Sequence, residues 1–346
     1  MSRPPSLRRR HLVAALSLAP LVWLPVAARA APRLQWRQPL MGTWVDIQVA
    51  AGSADELAPE VAQAFAEMQR LVRLMSRFEP DGALARLHRQ AGRASVELPP
   101  ELMVVLGFAR QRARHTAGAF DPVLGQLTAQ ADPGAAPLDD AERRRYLAHS
   151  GIGLLELERA RGRARLHDPL ARLDLGGVAK LPILAAGLHR LTQAGIGGVL
   201  INGGGDVLAT PRADAQPWRV GVRDACQPER LLTVLPLDQG VVASSGDYER
   251  FVTRAGQRVH HIIDPASGRP TAGLAGVTLV AEQLDAVNAL GPAAMVAGPA
   301  QALARLAAWG APQALLMHAD GRTEASAVLR GRLQPVPGQS AIRGLA

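Results

Sequence analysis

The residues able to do chemistry lie in short runs where a charged or basic side chain adjoins glycine. The first run is Asp174-Leu175-Gly176-Gly177-Val178-Ala179-Lys180. Lys180 is the only lysine, because 38 of the 39 basic side chains are arginine. A compact ammonium and a planar guanidinium are not interchangeable. This lysine reads either as a phosphate neighbour or as a surface residue at a helix start. The paired glycines would let backbone N–H groups and a helix N-terminus face an anion. Their spacing fits neither a Walker loop nor the dinucleotide fingerprint. The second run is Gly203-Gly204-Gly205-Asp206. Three glycines suit close approach of a ligand or of another backbone segment. The third is His260-His261 with Asp264. Adjacent strand side chains point to opposite faces, so the two rings do not share one metal ion. One of them facing a site suits acid–base or hydrogen-bonding work, and the plain alternative is a turn capped by Asp264. Asp121, Asp206 and Asp247 follow small or aromatic residues in loops. Each suits either a ribose hydroxyl or a turn cap.

These runs need elements to hold them. Residues 41–50 alternate and predict a strand. Helical spacing of Val61, Phe65, Met68, Leu71, Val72 and Met75 predicts a helix over 54–77. Further helices are expected at 83–90, 99–115, from Lys180 to about 194, at 283–297 and at 300–308, with 132–145 as a surface excursion. Strands are expected in pairs within 154–173, then at 199–202, 218–222, 231–235, 241–245, 276–281 and 314–318. That mixed order predicts an α+β fold with mixed or antiparallel sheets and packed helices.

The first thirty residues read as an export signal. Arg3 and Arg8-Arg9-Arg10 form a basic start, Leu12–Val26 an apolar run, and Ala28-Arg29-Ala30 a small-x-small cleavage site. Arg8-Arg9-Arg10-His11-Leu12 is similar to a twin-arginine signal. The expected mature protein is periplasmic, begins near Ala31 and carries no stable membrane span. Without that segment, 34 basic side chains face 30 acidic ones, a net charge of about +4. That is too mild a charge to indicate nucleic acid. Hydrophobic residues make up 48% of the chain and aromatics only 3%, so the core must be mostly Leu, Val and Ala. The single Cys226 excludes an internal disulfide and reads as a small buried hydrophobe.

Taken in order, several motifs resemble those of the ApbE-type FAD:protein FMN transferases. They are Met41-Gly42-Thr43, Met75-Ser76-Arg77-Phe78, Gly118-Ala119-Phe120-Asp121-Pro122, the Asp174–Lys180 run, Asn202-Gly203-Gly204-Gly205-Asp206, Ser244-Ser245-Gly246-Asp247-Tyr248 and His260–Gly268. The resemblance implies a T-fold-like single domain over residues 31–346. It implies transfer of FMN from FAD to a Thr or Ser hydroxyl of an acceptor flavoprotein, with release of AMP and with Mg²⁺ on the pyrophosphate. FAD contacts would fall on Met41, Phe78, Ala119, Phe120, Asp121, Asp174, Lys180 and His261, with His261 also the catalytic candidate. Metal ligation would fall on the Ala179 carbonyl and on Asn288, with Asp285 as a substitute. The chain departs from the family pattern at Phe78, where Tyr is usual, and over Leu181–Ala185, where an acid is lost. It also has Asn288 and Pro292 where the family has an Asp and a Thr ligand. A second reading is therefore a member that binds flavin, or scaffolds a partner, without transfer. A third is a periplasmic binding protein for another ligand.

Overall fold

The computed structural model describes residues 34–254 and 257–345. The export signal expected at residues 1–30 lies outside the described residues. An eight-stranded sheet forms the centre. Its strands are β1 (Leu34–Leu40), β2 (Thr43–Val49), β3 (Val199–Gly203), β4 (Asp206–Ala209), β5 (Gly240–Gly246), β6 (Leu274–Ala281), β7 (Ala314–His318) and β8 (Thr323–Ala325). They lie side by side in chain order, and every neighbouring pair is antiparallel. The α+β expectation therefore holds.

Period-two alternation sends successive side chains to two different cores. Ile47, Ile201, Leu208, Val241 and Leu279 face a helical layer. Leu200, Val207, Val242, Val280 and Leu315 face a hairpin of Trp218–Arg223 and Leu231–Leu237. Trp218 of that hairpin is fully buried, and its indole N–H donates to the Thr210 carbonyl at 2.9 Å. The helical layer contains α1 (Ala54–Met75), α2 (Pro100–His115) and α3 (Lys180–Gln193). The α1 side chains Val61, Phe65, Met68, Leu71 and Met75 are all buried, as their spacing requires.

Two turns carry site residues on the sheet edge. Met41 and Gly42 join β1 to β2 with left-handed φ values of 54° and 72°. Gly204 and Gly205 join β3 to β4, and Asn202 Oδ1 accepts the Gly205 N–H at 2.9 Å. Gly204 has φ +69°, and a Cβ there would lie 2.7 Å from Thr43 Oγ1. Only glycine meets both demands. The three-glycine run is thus a hairpin turn packed against its neighbour.

Three expectations need correction. Residues 283–297 form two helices, α4 (Leu284–Val287) and α5 (Leu290–Ala297). The break falls at Asn288 and at Ala289, whose φ is 66°. Pro292 explains it, because its ring in a continuous helix would clash with the carbonyl four residues earlier, that of Asn288. The supposed excursion over 132–145 runs into a helix, Asp140–Ala148, started by a capping box between Asp139 and Glu142. Cys226 is exposed in the turn after Trp218–Arg223, with Sγ 3.4 Å from the His318 carbonyl oxygen.

Candidate functional site

The end of α2 shapes one wall of a cleft. The chain reverses through Ala117 (φ 51°) and Gly118 (φ 84°). Thr116 Oγ1 donates to the Arg112 carbonyl at 2.9 Å and accepts the Phe120 N–H at 3.1 Å. That anchor sets the Phe120 ring against the Gly176-Gly177 turn. A Cβ on Gly177 would sit 3.2 Å from the ring, so glycine permits the approach. Asp121 secures the next stretch, accepting the Val123 and Ile152 N–H groups at 2.7 Å each. Burial pushes its carboxyl pKa up, against those two bonds.

Asp174 forms the floor. Its Oδ2 accepts from Thr128 Oγ1 at 2.7 Å and from Arg250 at 3.1 Å, with Arg77 Nε at 3.4 Å. Its Oδ1 takes the Gly176 N–H at 2.8 Å. Burial alone would raise its pKa. The Arg250 and Arg77 charges and the bonds from Thr128 and Gly176 outweigh burial and hold it at about 2. Arg77 also binds Asp132 at 2.6 Å and lies over the Phe78 ring, 4.2 Å from its centre.

The histidine pair separates as expected, but at a strand end: His260 closes the strand Gln257–His260 and His261 follows in a bend. His260 is buried, with Nε2 bonded to the Thr271 carbonyl at 3.0 Å and Nδ1 accepting the Ile262 N–H at 3.3 Å. His261 faces the cleft instead. Its Nδ1 lies 3.1 Å from the Arg250 carbonyl oxygen, so Nδ1 carries the proton and Nε2 keeps its lone pair. Burial, then the Arg250 charge, lowers the His261 pKa to about 4. Asp264 takes the turn-capping part, accepting from the Ala266 N–H at 3.0 Å and Ser267 Oγ at 2.6 Å.

Ala119, Phe120, Asp121, Asp174, Arg250 and His261 therefore line one cleft. Met41, Phe78 and Lys180 do not line it. Met41 lies in the β1–β2 turn, and Phe78 is 65% exposed on its Arg77 support. Lys180 opens α3 and is engaged, with Nζ 3.1 Å from Asp206 Oδ2. Burial would lower its pKa, but Asp206 and Glu249 raise it, so the ammonium stays charged. Asp206 also accepts the Ser244 N–H at 2.8 Å.

Sequence reasoning missed Arg77, Thr128 and Arg250. In a chain with 38 arginines, an arginine carries no signal by type. Position near Phe78 and Tyr248 was the only clue.

The residues expected to hold a metal do not fit one. Asn288 is buried, and its Nδ2 donates to the Val178 carbonyl at 3.0 Å. Its amide protons thus face the backbone that was to supply a ligand. The Ala179 carbonyl accepts the Ile183 N–H at 3.1 Å as the first bond of α3. Pro292 offers no donor atom. Asp285 has an exposed side chain, and its carbonyl accepts from Arg112. Among the described residues, no group of three or more His, Cys, Asp or Glu is placed to hold a metal ion. A small, hard cation prefers carboxylate and water oxygens.

Known proteins share this construction. The ApbE family model matches residues 41–316. An FAD:protein FMN transferase of Treponema pallidum is 30% identical over 305 residues, covering 81% of this chain and 83% of that protein. One from Rhodobacter capsulatus is 32% identical over 249 residues, covering 70% of this chain. The matched part is 47% of that relative, so this chain spans under half its length. The crystal structure of an ApbE protein from Thermotoga maritima superimposes with a TM-score of 0.80 at 26% identity, over 87% of this chain and 99% of that one. The motifs, the sheet that orders them and these likenesses agree, and the chain belongs to the ApbE family.

Proposed function

We propose that this protein is an FAD:protein FMN transferase that moves FMN from FAD to a Thr or Ser hydroxyl of a partner protein and releases AMP. The observation that carries this reading is the cleft. Ala119, Phe120, Asp121, Asp174 and His261 come from distant parts of the chain and meet on its walls. Each is a position where the resemblance to the family implies flavin contact.

In this reading the acceptor oxygen forms a bond to the FMN phosphorus. The bridging P–O bond breaks, AMP leaves with the bridging oxygen, and the hydroxyl proton goes to a base. His261 is the residue assigned to that proton, because its imidazole is neutral and its Nε2 lone pair is free. Phe120 and the outlying Phe78 offer ring faces for the isoalloxazine or adenine. Asp121 and Asp174 act as positioning groups, since their oxygens are held by backbone N–H groups and guanidinium. Met41 and Lys180 border the same construction from the sheet edge. The Mg²⁺ implied by resemblance has no carboxylate at residues 288 and 292 to hold it, and no step is assigned to it.

The test is incubation with FAD and a Thr-containing acceptor, reading AMP by chromatography and flavin fluorescence on the acceptor. His261→Ala should abolish both signals while leaving the melting temperature within a few degrees of wild type. FAD binding with no AMP release would favour the second reading, a flavin-binding scaffold. Export to the periplasm belongs to the same proposal and rests on residues 1–30. The mass of the exported protein should match a start near Ala31, and a full-length mass would overturn this. Among the described residues, no helix is long and apolar enough to cross a membrane.

A further inference from the structure

We infer that this site takes its pyrophosphate substrate without a divalent ion: the Asn288 amide and the Pro292 ring fill the ion's place, and Arg250 meets the phosphate charge. The inference rests on the flavin reading above.

The donor set argues for it first. A divalent ion held by protein needs at least one free carboxylate oxygen, with water and phosphate completing the shell. Asp174 has none, because one oxygen is shared by Thr128, Arg250 and Arg77 and the other holds the Gly176 N–H. Asp206 is held by Lys180 and the Ser244 N–H. Asp121 spends both oxygens on backbone N–H groups. A new cation would have to share an oxygen that already accepts a hydrogen bond or meets a paired cation at each of them.

Local geometry argues for it second. The Val178 partner of Asn288 is a carbonyl oxygen, so the side-chain nitrogen, a donor, must be the atom facing it. That amide stitches the α4–α5 break to the residue before Ala179, a crosslink between the two segments without a metal. Pro292 Cγ lies 3.7 Å from where a Cβ of Gly177 would be, so its ring packs beside the glycine turn. Because Pro292 also breaks the helix, Asp285 sits on the separate α4 and its side chain is exposed. Substitution at 292 thus removes one ligand, and the carboxylate expected to substitute lies on the other side of the helix break.

Charge compensation argues for it third. Arg250 lines the cleft, and its buried Nε has no hydrogen-bond partner among the described residues. The side chain is 30% exposed, and a phosphate oxygen is a natural acceptor for the guanidinium's exposed face.

The test measures FAD affinity of the purified, flavin-free protein by calorimetry, once with EDTA and once with millimolar magnesium. The expected result is affinities within about twofold of each other. Binding that tightens by about tenfold or more with magnesium would overturn the inference and leave the flavin reading standing. No binding in either buffer would remove the flavin reading and this inference together. The double variant N288D/P292T should gain magnesium-dependent tightening that the wild type lacks. If its affinity ignores magnesium, residues 288 and 292 are not the ion's place and the inference falls. Arg250→Gln should weaken FAD about tenfold in both buffers. Unchanged affinity in that variant would overturn the assignment of the charge.

Discussion

Replacing Asp174 by Asn removes the anion on which Arg77 and Arg250 converge. In the folded protein Asp174 titrates at about 2, against an ordinary value of 3.8. At about 1.4 kcal/mol per pH unit, that depression contributes about 2 kcal/mol of stability at pH 7. The lowered value means that this contribution is complete above the unfolded pKa and is lost as pH falls toward 2. Removing one partner of a buried pair costs about 3–5 kcal/mol when the other is fully buried. Here Arg77 and Arg250 side chains are 13% and 30% exposed, which lowers the cost. Asp174→Asn should therefore destabilise the protein by about 2–4 kcal/mol at pH 7. Urea unfolding of both proteins at pH 7, 5 and 3 measures the gap. It should narrow by about 1 kcal/mol between pH 7 and pH 3, because roughly half of the linkage contribution is gone by then. A penalty under about 0.5 kcal/mol, or one of equal size at pH 3 and pH 7, would refute the charge network as the source of stability.

Other perturbations follow from the same geometry. His261 is held near 4 by burial and by Arg250, so transfer activity should not lose a base between pH 8 and pH 6. A rate falling with a midpoint near the ordinary imidazole value would remove His261 from that role. Gly204→Ala places a methyl group 2.7 Å from Thr43 Oγ1 at a left-handed φ, and urea unfolding should show a loss of about 1–3 kcal/mol. An unchanged midpoint would mean that the turn can open. Lys180→Ala leaves Asp206 and Glu249 without their cation and should weaken FAD binding about tenfold. Unchanged FAD affinity would confine Lys180 to a structural ion pair.

Much of the site was legible because its residues sit in compact motifs. Ala119-Phe120-Asp121 reads as one loop, and His260 and His261 do part company, although the strand ends between them. The capping reading of Asp264 and the turn reading of Gly203–Gly205 also follow from local chemistry. The break at Asn288 was present in the sequence as Pro292, whose steric demand acts four residues upstream. Reading 283–297 by hydrophobic content hid it. Thr128 and Arg250 had no such marker, and Arg77 sat in a motif without being singled out. Each is an ordinary polar residue until Asp174 is placed among them.

Sequence alone determined the long helices, most of the central strands and the resemblance to the family. Those follow from period-two and helical spacing, turn residues and ordered motifs, all of which act within a few residues. Tertiary structure decided which charges pair and which atoms are free. Asp174 meets Arg77 and Arg250, Lys180 meets Asp206, and Asn288 reaches the Val178 carbonyl across distant chain positions. Coulombic and hydrogen-bond partners depend on distance in space, and no local pattern encodes them. The cleft-facing guanidinium of Arg250 and the occupied oxygens of Asp121, Asp174 and Asp206 are visible only once those pairs are made.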